Sequence, residues 1–299
     1  MLFGVVMGLL ASASWAAANV FVQRSARRVG PLRALVWAQL AGMTGAAPLA
    51  WLLDTRVRAP DRGTVLWAAV AGLAAVVAYP CLFYATLRGR LSVVVPIMSA
   101  WSVVAAGISL GLLGETLRPA HGAGAALVML GVLVVSRFSQ DAAAAPPASP
   151  AAPALPATGG RGPVGGLWAA LGGALGFGVL IPAIGRLAPT TGSLGAIPLV
   201  FLLDLLLGVP LARWRGIELS APRGRAWLPV LGAGLFETLG FAWISLGMAH
   251  APVAVVAPLA GLASAFTVLF AWLVQGERPG LGVLLGAGLA CAGVITLAL

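Results

Sequence analysis

A 162-residue repeat constrains this chain of 299 residues more than any other feature. The stretch from Leu91 to Pro119, LSVVVPIMSAWSVVAAGISLGLLGETLRP, returns as Val253 to Pro279, VAVVAPLAGLASAFTVLFAWLVQGERP. Each copy is apolar, opens with Val residues ahead of a Pro, runs for about twenty residues and stops at Gly-Glu. Pro96 recurs as Pro258 and Glu115 as Glu277, both 162 residues on. The same offset pairs Arg24 with Arg186, Gly30 with Gly192 and Ser102 with Ser264. It also pairs Pro48-Leu49-Ala50 with Pro210-Leu211-Ala212, and Ala71-Gly72-Leu73 with Ala233-Gly234-Leu235. The chain is one unit written twice.

The solvent of that unit follows from its composition. Residues are 60% hydrophobic and only 9% charged, with a mean hydropathy of +1.01, whereas an ordinary soluble domain is about 25% charged. A soluble core cannot hide so much apolar surface, so lipid is the solvent for most of it. The eighteen basic residues, all Arg, exceed the acidic ones by ten. They sit in short clusters between apolar runs, as at Arg24, Arg27, Arg28 and Arg33, and so read as membrane flanks beside anionic headgroups. A nucleic-acid reader gathers its charge on one face of a soluble module, so no nucleic-acid partner is expected.

Ten apolar spans follow: Leu2–Phe21, Leu35–Leu53, Val65–Tyr84, Val93–Leu113, Gly122–Val135, Gly165–Ile184, Leu194–Leu211, Trp227–Met248, Val253–Val274 and Gly280–Leu299. The first resembles a signal peptide at Ala11-Ser12-Ala13. It lacks a basic flank before that site, and Gly4 and Leu9 recur as Gly166 and Leu171, so it belongs to the repeat and is retained. Residues 1–140 are expected to form a first five-helix repeat and residues 166–299 a second. Residues 141–165, rich in Pro and Ala without periodicity, form the linker. Five crossings is an odd number, so the second copy enters the bilayer with the opposite orientation. The expected fold is therefore an all-α membrane protein of ten transmembrane helices in two inverted five-helix repeats, the architecture of alternating-access carriers.

The residues now resemble a known family. Trp15 to Gln23, WAAANVFVQ, is similar to the opening segment of the drug/metabolite transporter superfamily, specifically its EamA-type ten-helix transporters. Pro96…Gly114-Glu115 and Pro258…Gly276-Glu277 match the family's pattern in its fourth and ninth helices. The resemblance implies a secondary carrier of the plasma membrane, here a bacterial inner membrane, exporting metabolites, amino acids or drugs. It also implies a central cavity lined by helices one, three, four, six, eight and nine. Phe177 keeps the aromatic character of Trp15, but Ile181 stands where Asn19 does, so the two halves line that cavity with unequal polarity.

Candidate site residues are few. Asp204 and Glu237 lie deep in apolar spans, where a carboxylate costs about 2.5–3.5 kcal/mol on insertion scales. They must face the bundle, pair, or stay protonated. Their repeat mates Gly42 and Ala75 are uncharged, so the architecture itself needs neither acid. Both are candidates for proton coupling. Glu237, on the eighth span, also joins Trp15, Asn19, Ser99, Trp101, Trp243 and Ser264 as a substrate-binding candidate, and the two acids point to cationic or zwitterionic cargo. Pro96 and Pro258 free backbone carbonyls and are the candidate hinges. Glu115 and Glu277 read as caps for the exposed N–H groups of the helix that follows each of them.

No nucleophile elbow, Walker loop or HExxH is present, so the chain is not expected to be an enzyme. Cys81 and Cys291, and His121 and His250, lack metal-type spacing, and neither a metal nor a cofactor is expected. Gly172/Gly176 and Gly282/Gly286 read as internal helix packing, which leaves a monomer or homodimer. An ion channel and a non-transporting membrane scaffold are the alternative functions. With the amino terminus inside, five Arg face the cytoplasm and the other thirteen face outside, which favours both termini outside. The family resemblance implies both inside.

Overall fold

The structure, a computed structural model, describes residues 1–53, 61–88, 91–144, 164–263, 265–266 and 280–298. Among these residues helix is the only regular secondary structure. In chain order the helices are α1 (Leu2–Val29), α2 (Pro31–Leu53), α3 (Arg62–Arg88), α4 (Leu91–Ser99), α5 (Trp101–Gly111) and α6 (Pro119–Ala144). The second half gives α7 (Val164–Thr191), α8 (Ala196–Trp214), α9 (Trp227–Met248), α10 (Val253–Ala260) and α11 (Leu281–Ala298). Six of them, α1, α2, α3, α7, α8 and α9, are long and apolar enough to cross a membrane, and shorter apolar helices lie at 97–111, 119–135 and 281–297.

Local chemistry sets the helix ends. α1 stops at Gly30, whose φ of 85° is open to glycine, and Pro31 then starts α2. The repeat mate of Gly30, Gly192, has φ of 80° and closes α7 in the same way. Asp61 opens α3 by accepting hydrogen bonds from the backbone N–H and hydroxyl of Thr64 at 2.7 and 2.6 Å. Those bonds hold its carboxyl below the usual carboxylate range.

The fourth span differs from expectation. It is not one helix over 93–113 but two, α4 and α5, broken at Ala100 four residues after Pro96. The ninth span breaks at the repeat-equivalent place. α10 ends at Ala260, four residues into the helix from Val256 and two beyond Pro258, with Gly261 and Leu262 in a turn. In both copies the repeat-equivalent residue at the break bonds back three residues rather than four, Ala100 to Ile97 and Leu262 to Leu259, each at 3.2 Å. The fifth span is longer than its apolar core, since α6 runs on to Ala144.

Inverted symmetry is visible in the packing. α6 and α11 are repeat mates, and they lie antiparallel. A methyl group added at Gly131 would meet the Gly286 carbonyl and the Ala290 amide at 2.6 Å, and one added at Gly293 would meet the Gly124 carbonyl and the Val128 amide at 2.6 Å. These contacts interchange under the 162-residue offset. An antiparallel pair of equivalent helices requires a two-fold axis perpendicular to both, which lies in the plane of a membrane they cross. The remaining contacts obey the same exchange. α1 packs antiparallel on α9, from Gly4 beside Ala251 to Phe21 stacked on Phe236 at 5.6 Å. α3 packs antiparallel on α7, from Cys81 beside Gly172 to the paired hydroxyls of Thr64 and Thr190 at 2.9 Å.

Glycine and alanine carry these crossings because lipid gives no hydrophobic push between helices. Close backbone approach supplies the packing energy instead. Both GxxxG pairs are internal: Gly172 and Gly176 face Cys81 and Ala78, while Gly282 and Gly286 face Phe138 and Val135. Large apolar side chains point outward. Leu73 and its mate Leu235 are 65% and 55% exposed at mid-span, as a lipid-facing surface requires.

The two faces of the bundle are tied differently. On one, Arg28 donates to the Arg225 carbonyl, Arg33 to those of Ser220 and Ala221, and the Trp37 indole to that of Leu219. These bonds strap the α8–α9 connection across the α1–α2 corner. On the opposite face, Arg186 donates to the Leu113 carbonyl at 2.7 Å. There Glu115 does cap a helix, but not the next one. Its two carboxyl oxygens accept the backbone N–H groups of Val253 and Ala254, each at 3.0 Å. The physical reason is local: α6 begins at Pro119, which has no N–H to cap, while the inverted repeat brings the start of α10 alongside. Glu277 lies outside the described residues.

Candidate functional site

The helix breaks, the α1–α9 crossing and the α3–α7 crossing converge on the pseudo-two-fold axis. Three constraints produce that convergence. α4 and α10 stop at the centre instead of running through it, so the breaks meet there: a methyl group added at Gly261 would strike the Ser102 hydroxyl at 2.6 Å. On α1, Trp15 lies flat against Gly240, where any larger residue would displace it. Around it an aromatic cluster forms. Trp15 meets Trp101 edge-on at 5.5 Å and Phe241 at 5.3 Å, and Tyr79 meets Phe177 at 5.2 Å.

A cavity of about 50 Å³ remains at this junction. Its wall is Trp15 and Asn19 from α1, Leu82 from α3, and Val95, Met98 and Ser99 from α4. Trp101 from α5, Phe177 and Ile181 from α7, Glu237 from α9, and Ala263 just past α10 complete it. Spans one, three, four, six, eight and nine all contribute. Since one buried water needs roughly 10–15 Å³ of such space, the cavity admits a few waters and no metabolite without movement.

The structure thus brings Trp15, Asn19, Ser99, Trp101 and Glu237 to one wall. Glu237 is 8% exposed and Ser99 3%. The pairings Trp15–Gly240 and Phe21–Phe236 bracket Asn19 and Glu237, which places these two polar groups at one level of the α1–α9 crossing. Trp243 is a correction. It lies six residues beyond Glu237, about 120° away around α9, and packs half-buried on the core instead of lining the cavity. Ser264 lies outside the described residues, although its neighbour Ala263 is on the wall. Pro258 is buried within α10, and Pro96 lies one turn ahead of the α4–α5 break.

Asp204 stands apart from the cavity and has its own partner. The Gln39 amide donates to its Oδ2 at 2.9 Å, while Oδ1 is buried without a hydrogen bond. Beside this pair the buried Tyr79 hydroxyl faces Gln39, Asp204 and Glu237, and links the Asp204 pair to the Glu237 carboxyl group. Sequence reasoning missed Gln39 and Tyr79, and the apolar wall residues Leu82, Val95, Met98 and Ala263. Gln39 had a signal. A carboxyl group in a lipid-solvated span needs a donor, and Gln39 is a polar residue in the interior of α2.

Each of these polar groups has an apolar repeat mate: Asn19 has Ile181, Gln39 has Phe201, Tyr79 has Phe241, Asp204 has Gly42 and Glu237 has Ala75. The Gly42–Phe201 contact is the symmetry image of the Asp204–Gln39 bond. Architecture therefore demands neither carboxyl group, and the repeat does not reproduce any of these polar groups.

Comparisons with known proteins agree with this architecture. The model of the EamA-like transporter family matches twice, over residues 2–137 and 164–299. A protein of known crystal structure shares the fold with a TM-score of 0.70 at 20% sequence identity, over 98% of this chain and 95% of that one. Among curated proteins no match to the chain is found. Two copies of the family's unit, matched in sequence and related by a two-fold axis in the packing, place the chain in the EamA-like transporter family, a family of membrane transporters and not of enzymes.

Proposed function

We propose that the protein is a secondary active exporter of a small organic molecule, working by alternating access, with Glu237 as the charged contact in the cavity and the carrier of a coupling proton. The observation that supports this most directly is the cavity's position. It lies on the axis that exchanges the two halves, so rocking one half against the other opens it to each side in turn. α4 and α10 break beside it, and Pro96 and Pro258 are the hinges of that motion. Glu237 is the one titratable group among the described residues of the wall. Its burial makes the charged form costly unless a cation or proton accompanies it. Asp204, held by Gln39, is a second proton-binding candidate behind the wall. The chain acts in the cell membrane, in a bacterium the inner one, as a monomer or homodimer.

The test is transport by purified protein in liposomes across imposed pH gradients. Wild type is expected to exchange substrate with a pH dependence that Glu237→Gln abolishes. Equal rates and an equal pH profile in the variant would remove Glu237 from the coupling step. An electrodiffusive current without counterflow would favour a channel instead.

A further inference from the structure

We propose that the cavity selects an amphipathic organic cation: a molecule with one amine or quaternary ammonium group, an apolar and preferably aromatic body, and no carboxylate or phosphate. This rests on the carrier reading above and gives it a substrate class.

Charge decides the first half of the argument. Among the described wall residues Glu237 alone is ionisable, and none of them is Arg, Lys or His. A substrate anion taken from water into this site meets no cation, and an unpaired buried charge is strongly disfavoured. An ammonium group meets a carboxylate. It also meets the rings of Trp15 and Trp101, which stand edge to face at 5.5 Å with an interplanar angle of 89°. Because the two rings are perpendicular, their faces point in different directions, and a cation between α1 and α5 can lie over one of them while touching Glu237.

Asymmetry decides the second half. Asn19 and Glu237 form a polar pole at one level of the α1–α9 crossing. Their repeat mates, Ile181 and Ala75, occupy the symmetry-related level of the α3–α7 crossing, and Phe177, Leu82, Val95 and Met98 continue the apolar surface. A symmetric pair of halves would have given a wall with like ends. This wall has one end that suits a charged, hydrogen-bonding head and another that suits a body without polar atoms. Asn19 can accept or donate hydrogen bonds at the head, so primary amines fit as well as quaternary ones.

Three probes with the same phenyl body separate the charge classes: phenethylamine, phenylalanine and phenylacetate. They are offered to the full-length protein, with melting temperature and liposome counterflow as readouts. Phenethylamine is expected to raise the melting temperature and to exchange, with a half-maximal concentration at least tenfold below that of phenylalanine. Phenylacetate is expected to do neither. Glu237→Gln removes the phenethylamine response, and Trp101→Leu weakens it where Trp101→Phe keeps it; the Trp101 pair serves alone if the Glu237 variant does not fold. The proposal is overturned if phenylacetate or phenylalanine performs as well as phenethylamine, or if phenethylamine has no effect. Exchange of an anion or zwitterion in that experiment leaves the carrier reading intact, whereas absence of counterflow for every solute removes both.

Discussion

Glu115 is the clearest place to test whether the two halves move. Its carboxyl group, at the end of the fourth span, holds the first two N–H groups of α10 from the other half at 3.0 Å each. Any rocking that parts these ends must break both bonds. Losing an N-terminal cap costs about 0.5–2 kcal/mol, and losing a negative charge at a helix start about 0.3–1 kcal/mol. Glu115 is half-exposed, so water screens part of the sum. A net effect of about 1–2 kcal/mol remains, a factor of roughly 5–30 in the equilibrium between states with and without the contact. A cysteine at Gly185 reports it, because the next residue, Arg186, holds the Leu113 carbonyl of the first half, two residues ahead of Glu115. Its Cβ would sit 3.5 Å from Val253 and 3.7 Å from Met248, in ordinary contact beside the start of α10. With Cys81 and Cys291 replaced by Ala, Glu115→Ala should raise the thiol-labelling rate at that position by roughly 5–30-fold. A labelling rate unchanged in a variant that remains folded would show that the Glu115 contact does not hold this face closed.

Two further outcomes follow from the packing. Gly131→Ala puts a methyl group 2.6 Å from backbone atoms of α11, so the helices must part at a cost of about 1–3 kcal/mol, whereas Gly288→Ala meets open space; melting temperatures should fall for the first and hold for the second. Gln39→Leu strips Asp204 of its hydrogen bond and should destabilise by about 1–3 kcal/mol, while the double change Gln39→Leu with Asp204→Leu should recover most of that loss. A double-mutant cycle that is additive would contradict the pairing.

The sequence alone carried the repeat, the odd number of crossings and the lipid-facing character of the helices. These are properties of periodicity and composition, and a constant offset of 162 residues transmits them without any knowledge of contacts. It also singled out Trp15, Asn19, Ser99, Trp101 and Glu237, because a polar or aromatic group at mid-span needs a reason to be there. What it could not supply was direction around a helix axis and partners across the interface. Trp243 is on the same helix as Glu237 but faces elsewhere, a matter of about 120° that depends on how α9 is seated. Glu115 looked like a cap for its own turn, yet its donors are 138 residues away in the other half. Asp204 called for a donor, but not for Gln39 in particular, since the two are 165 residues apart. Only the antiparallel crossing of the two copies sets those distances, because the two-fold axis, and not the chain, is what brings them together.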